Sequence, residues 1–209
     1  MNDGHRTMNS PNRLGKALVG LIALSLIMAA STSAFSLDRY ESREGVFGGV
    51  TAGGGIGKNI HDDSSDNVTT GFEDSRLLGA YFGGIIGGGI NDNVTLGMGT
   101  DWWIRTAKKG SQSLKNNHGS IHAMGNFFLI EGLYLEAGGG LAYSTFELIQ
   151  GDNDPEVHNE LGLALKGGVG YEFWLNGNQA LGVHGNYTRH FYNNGAFDTF
   201  NFGATFRWY

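Results

Sequence analysis

A set of charged and histidine side chains in this sequence recurs on one of two alternating rows, and that spacing decides what chemistry they can do. Asp101, Arg105, Glu136, Glu160, Lys166 and Glu172, with His122, His184 and His190, share their rows with glycine, serine, threonine and asparagine. The rows between them carry leucine, isoleucine, valine and aromatics. A period of two places one row in a polar medium and the next in an apolar one. In a closed sheet the polar row points into a narrow interior, where charges must pair because a lone buried ion is costly. The expected chemistry is a lumenal network of ion pairs and hydrogen bonds that fills the interior. A narrow polar channel is the alternative.

Other chemistries have thin support. Around His184-Gly185-Asn186 no serine follows Ser144, and Thr188 lies four residues on, so an imidazole base there lacks a hydroxyl nucleophile beside it. The histidines form no metal-ligand constellation. Gly53-Gly-Gly-Ile-Gly-Lys58 departs from a phosphate loop, with Ala52 where its first glycine belongs and Asn59 where Ser or Thr should follow. No catalytic residue, metal or cofactor is expected.

The elements that position these residues read as eight strands. They are Gly45–Gly57, Arg76–Ile90, Val94–Thr106, His118–Ile130, Leu133–Leu148, His158–Leu175, Gln179–Phe191 and a last one from Asp198 to Tyr209. Tight turns are expected at Asn91-Asp-Asn93, Glu131-Gly132 and Asn176-Gly-Asn178, the last with the Asn-Gly chemistry of hairpins. Longer polar connections are expected over 58–74, over Ala107–Asn117 with Lys108, Lys109 and Lys115, and over Ile149–Val157 with Asp152, Asp154 and Pro155. The second strand leaves its register open, because Leu77-Leu78 and Ile85-Ile86 make both faces apolar.

The final segment has Phe200, Phe202, Phe206 and Trp208 on one face and Asn201, Thr205, Arg207 and Tyr209 on the other. A terminal strand frays unless it is paired, and in a barrel it pairs with the first strand. Trp102, Tyr143, Tyr187, Phe173, Trp208 and Tyr209 are expected as interface aromatics, since membrane interfaces select such belts near strand ends. The wider belts also include Trp103, Phe128 and Tyr134.

At the other end, Arg6, Arg13 and Lys16 precede an apolar run, Ala17–Ala30, and the small residues Ser31–Ala34. This is the pattern of a secretory signal peptide over 1–34, followed by a short segment over 35–44 and the barrel over 45–209. Residues 1–34 hold Asp3 against Arg6, Arg13 and Lys16, a net +2, so the formal charge moves from −6 to −8 without them. An acidic chain does not suit nucleic acid. With no cysteine present, the fold must hold by pairing and packing. Glycine, at 36 residues, suits the bends and close backbone approaches of a small barrel.

The fold class is therefore all-β: an eight-stranded antiparallel up-and-down transmembrane β-barrel with short periplasmic turns and longer extracellular loops. The plan resembles the small eight-stranded outer-membrane barrels of Gram-negative bacteria, the OmpA/OmpX and OmpW-like group, across the whole of residues 45–209. The resemblance implies location in the cell outer membrane, contact with its lipid and lipopolysaccharide, and delivery to the barrel-assembly machinery. Phe200, Phe202, Phe206, Trp208 and Tyr209 look like that group's assembly signal, with the departure that Tyr209 falls off the apolar face. The expected function is a non-enzymatic membrane barrel with surface loops for interaction or envelope support. A channel for small or hydrophobic solutes is one alternative, and a lipid A-modifying enzyme is the other.

Overall fold

The computed structural model describes residues 42–60, 77–110, 112–130, 132–150, 156–193 and 195–209. The leader expected over 1–34, residues 35–41, the acidic stretch 61–76, Glu131 and the loop residues Asp152, Asp154 and Pro155 lie outside the described residues, as does the Lys109 side chain.

Eight strands form one closed sheet. They are β1 (Gly45–Ile60), β2 (Leu77–Asn91), β3 (Val94–Lys109), β4 (Gln112–Phe128), β5 (Leu133–Gln150), β6 (Glu156–Asn176), β7 (Gln179–Tyr192) and β8 (Gly195–Trp208). Each pairs antiparallel with its sequence neighbour, and β1 pairs with β8 to close the barrel. That seam runs from Gly48 opposite Trp208 to Ile60 opposite Ala196. Closure leaves no unpaired edge to attract other chains.

Three tight turns gather at one end. Asn91 Oδ1 accepts from the backbone N–H groups of Asn93 and Val94 at 2.9 Å each, fixing the β2–β3 turn. Asn176 Oδ1 accepts from Asn178 N–H at 3.2 Å in the β6–β7 turn. Both asparagines bond their own backbone a few residues on, which is why this residue type starts turns. The β4–β5 turn begins earlier than expected. The strand stops at Phe128, Leu129 N–H bonds to the Leu133 carbonyl at 2.9 Å, and Gly132 takes φ +81°.

The other end departs more from expectation. Most of the polar segment Ala107–Asn117 is strand and not loop: β3 and β4 pair from Ala107 opposite Leu114 out to Lys109 opposite Gln112. These strands, of 16 and 17 residues, outrun the roughly 9–11 needed to cross a bilayer. Beyond the apolar zone both faces of such a hairpin meet water, so alternation fades while the ladder continues.

The β2 register is settled by size. Tyr81 points inward and is 1% exposed, while Leu78, Phe82, Ile86 and Ile90 point outward. Its inward row otherwise carries mostly glycine, and this makes room for large neighbours. A Cβ on Gly79 would stand 2.5 Å from the Trp103 indole, and one on Gly57 would also meet that ring. Outside, every strand presents an apolar row, with Val46, Leu78, Leu141 and Leu161 between 68% and 77% exposed.

Candidate functional site

The lumen is filled in three layers, and the middle one is ionic. Lys166 on β6 sets its ammonium between two carboxylates, 2.9 Å from Asp101 Oδ2 on β3 and 2.9 Å from Glu136 Oε1 on β5. His184 Nε2 approaches Glu136 Oε1 at 3.2 Å, and His122 Nε2 lies 3.5 Å from Asp101 Oδ2. Tyr81 donates its hydroxyl proton to Asp101 Oδ1 at 2.5 Å and accepts from Asn186 Nδ2 at 2.9 Å. Asn201 Nδ2 then donates to Asn186 Oδ1 at 2.9 Å. All of these side chains are buried.

A second layer closes the short-turn end. Glu172 on β6 accepts from Arg43 Nε at 2.8 Å and from Arg207 Nη1 at 3.4 Å. The Arg43 guanidinium lies 3.8 Å over the Phe128 ring and that of Arg207 lies 4.3 Å over Tyr134, two cation–π contacts on adjoining rings. Tyr209 stacks on Phe47 at 5.7 Å and donates its hydroxyl to Glu172. Burial pushes the Tyr209 phenol up to about 12, so it remains a donor.

The third layer closes the long-hairpin end with rings. His118 stacks on Phe197 at 3.6 Å, Trp103 meets Phe197 at 5.2 Å, and His118 Nδ1 lies 3.0 Å from the Tyr192 hydroxyl. Trp103 donates its indole N–H to the Gly55 carbonyl at 3.2 Å. Its ring needs the missing side chains of Gly57 and Gly79.

Charge counting links the layers. Among the described residues, the deeply buried ions are Asp101, Glu136 and Glu172 against Lys166, Arg207 and Arg43, three of each sign. The middle layer carries one excess carboxylate and the short-turn layer one excess guanidinium. Interior ions are tolerated when paired and bonded in this way.

Of the residues expected in the lumenal network, Asp101, Glu136, Lys166, Glu172, His122, His184 and His190 lie inside. His190 Nδ1 bonds the Phe197 carbonyl at 3.1 Å rather than an ion. Arg105 and Glu160, toward the long-hairpin end, are only partly buried. Their rows face inward, but β3 and β6 have by then run past the closely packed part of the barrel.

Among the expected interface aromatics, Trp102, Tyr143, Tyr187, Phe173 and Trp208 point outward. Tyr187 packs on Phe200 at 4.8 Å, and the Trp208 ring covers Gly48 across the seam. Tyr209 does not join them. It follows Arg207 into the lumen, because a period of two sends residue 209 to the face of residue 207. Trp103, Phe128 and Tyr134 are likewise inward and almost fully buried. In the terminal segment, Phe200 and Phe202 are largely exposed on the outer face, with Phe206 partly so.

Several lumenal residues escaped the sequence reading. Arg43 precedes the first alternating segment. Tyr81 sat in the strand of open register. Ser120 Oγ lies 3.4 Å from His122 Nδ1, whose other nitrogen faces Asp101, so a hydroxyl, an imidazole and a carboxylate stand in line. Ser120 is 4% exposed and Asp101 is already engaged by Tyr81 and Lys166, so the trio is packed into the network.

No protein-family model matches the chain, and no functionally curated protein matches it. Solved structures do. Ail, the attachment invasion locus protein of Yersinia pestis, in complex with the heparin analogue sucrose octasulfate, is 14% identical with a TM-score of 0.58, covering 79% of this chain and 99% of that one. Ail without that ligand gives 16% and 0.57 over the same shares. Neisserial surface protein A gives 14% and 0.52, covering 79% of this chain and 97% of that one. The fold is that of the small eight-stranded outer-membrane barrels. At these identities the likeness concerns the fold.

Proposed function

We propose that this protein is an integral outer-membrane barrel with a closed, non-conducting lumen, working through its outer hairpins as an interaction or envelope-supporting element and not as an enzyme. The observation that carries this reading is the filled lumen: a guanidinium–aromatic layer, an ionic layer and a ring layer follow one another along the axis. Eight strands enclose an interior just wide enough for side chains to fill. The outward rows support the membrane setting. Leu161, Leu141, Phe202 and Phe200 are between 63% and 74% exposed, and a protein in water seldom presents a continuous apolar belt of this extent.

At the outer end, two outward-facing basic residues already have carboxylate partners. Lys115 lies 3.1 Å from Glu147, and Arg189 bonds Asp198 through two nitrogens. Ail binds a sulfated sugar analogue in its crystal; here the paired cations and the net charge of −6 favour a partner that is not a polyanion. Reconstitution in a planar bilayer tests the closed lumen. Zero conductance is expected from the unaltered protein, and discrete conductance steps would establish the channel reading instead.

A further inference from the structure

We propose that Glu172 is a catch that locks the seam of the barrel from inside by holding both flanks of the β1–β8 junction. In the sheet, β6 pairs with β5 and β7 and with neither seam strand. Its Glu172 nevertheless receives Arg43, which lies just before β1, Arg207, which is still paired near the end of β8, and Tyr209, which follows that strand. Strand ends fray unless something ties them down. Here either flank can leave only by withdrawing donors from a carboxylate that is 2% exposed, which adds the cost of an underpaired buried ion to that of the lost ladder bonds.

The strap that carries Arg43 is held in place by three further features. Asp92, in the β2–β3 turn, accepts from Ser42 Oγ at 3.1 Å and from Arg43 N–H at 3.2 Å. Gly89 is the seat: a Cβ there would collide with the Arg43 carbonyl, so the strap lies directly on bare backbone. Gly45 takes φ +92°, a conformation that glycine adopts freely, and turns the chain from the strap into β1. The strap thus reaches Glu172 from across the barrel mouth.

The test uses the full-length protein refolded in detergent micelles, with unfolding rates read from heat-modifiable gel migration. Arg43→Met keeps the stem over Phe128 and removes the ion pair, and it should unfold about tenfold faster than the parent. A disulfide across the seam, Thr51→Cys with Thr205→Cys, joins residues that face each other in register. Once oxidised, it should abolish the difference between Arg43→Met and the parent. A control disulfide at Ser120→Cys with Ala142→Cys, in register on β4–β5, should leave the difference intact. If Arg43→Met fails to fold alone, folding restored by the seam disulfide and not by the control supports the catch. An unchanged unfolding rate, or equal rescue by both disulfides, would overturn it.

Discussion

Lys166 Nζ lies 2.9 Å from Glu136 Oε1, with both side chains nearly sealed from solvent, and the same ammonium holds Asp101 at the same distance. One cation therefore serves two buried carboxylates. Removing it deprives both of their lysine counter-ion, whereas removing all three charges leaves no carboxylate to compensate. Lys166→Met is expected to destabilise the barrel by about 3–5 kcal/mol. Adding Asp101→Asn and Glu136→Gln to it should recover most of that loss. Denaturant unfolding in micelles measures both, and a triple variant no more stable than Lys166→Met would refute the pairing scheme.

The glycines differ by face. Gly79→Ala drives a methyl group into the Trp103 indole, and overpacking of this kind costs about 1–3 kcal/mol. Gly84→Ala, whose nearest neighbour would be 3.6 Å away on the outer face, should change stability by less than about 0.5 kcal/mol. Tryptophan emission, shifted only in the first variant, gives an independent readout of the displaced ring.

The outer belt can be probed with one charge. Leu141 is 68% exposed, and in water Leu141→Arg would be nearly neutral. In a bilayer it should cost about 2–4 kcal/mol if the residue lies near the midplane. Folding titrations into lipid vesicles separate these outcomes.

At the outer rim, Arg189 bonds Asp198 at 2.8 Å, but its side chain is 37% exposed. Water and salt screen such a pair, so Arg189→Ala should cost no more than about 1 kcal/mol. A larger loss would mean that this pair, and not the lumenal ions, organises the hairpin ends.

The sequence displayed most of the architecture because the interior is polar and the exterior apolar along nearly the whole of each strand. Leu141, Ala142, Tyr143 and Ser144 alternate cleanly for that reason. The pattern failed where both faces meet the same medium. Lys108, Lys115 and Asn117 looked like loop residues, although they continue the β3–β4 ladder beyond the apolar zone. Arg43 was invisible to alternation because it lies outside the strands. Tyr209 was legible by parity with Arg207, yet its aromatic character suggested the interface. The pairing of Lys166 with both Asp101 and Glu136 needed the stagger of three strands, which no single strand encodes.

The protein is proposed to be a barrel that folds in the outer membrane around a closed interior. Membrane fractionation, followed by electrophoresis of unheated and boiled samples, tests it most directly. The protein should be recovered with the outer-membrane fraction and migrate faster unheated than boiled. Recovery as a soluble periplasmic protein, with migration unchanged by heat, would contradict it.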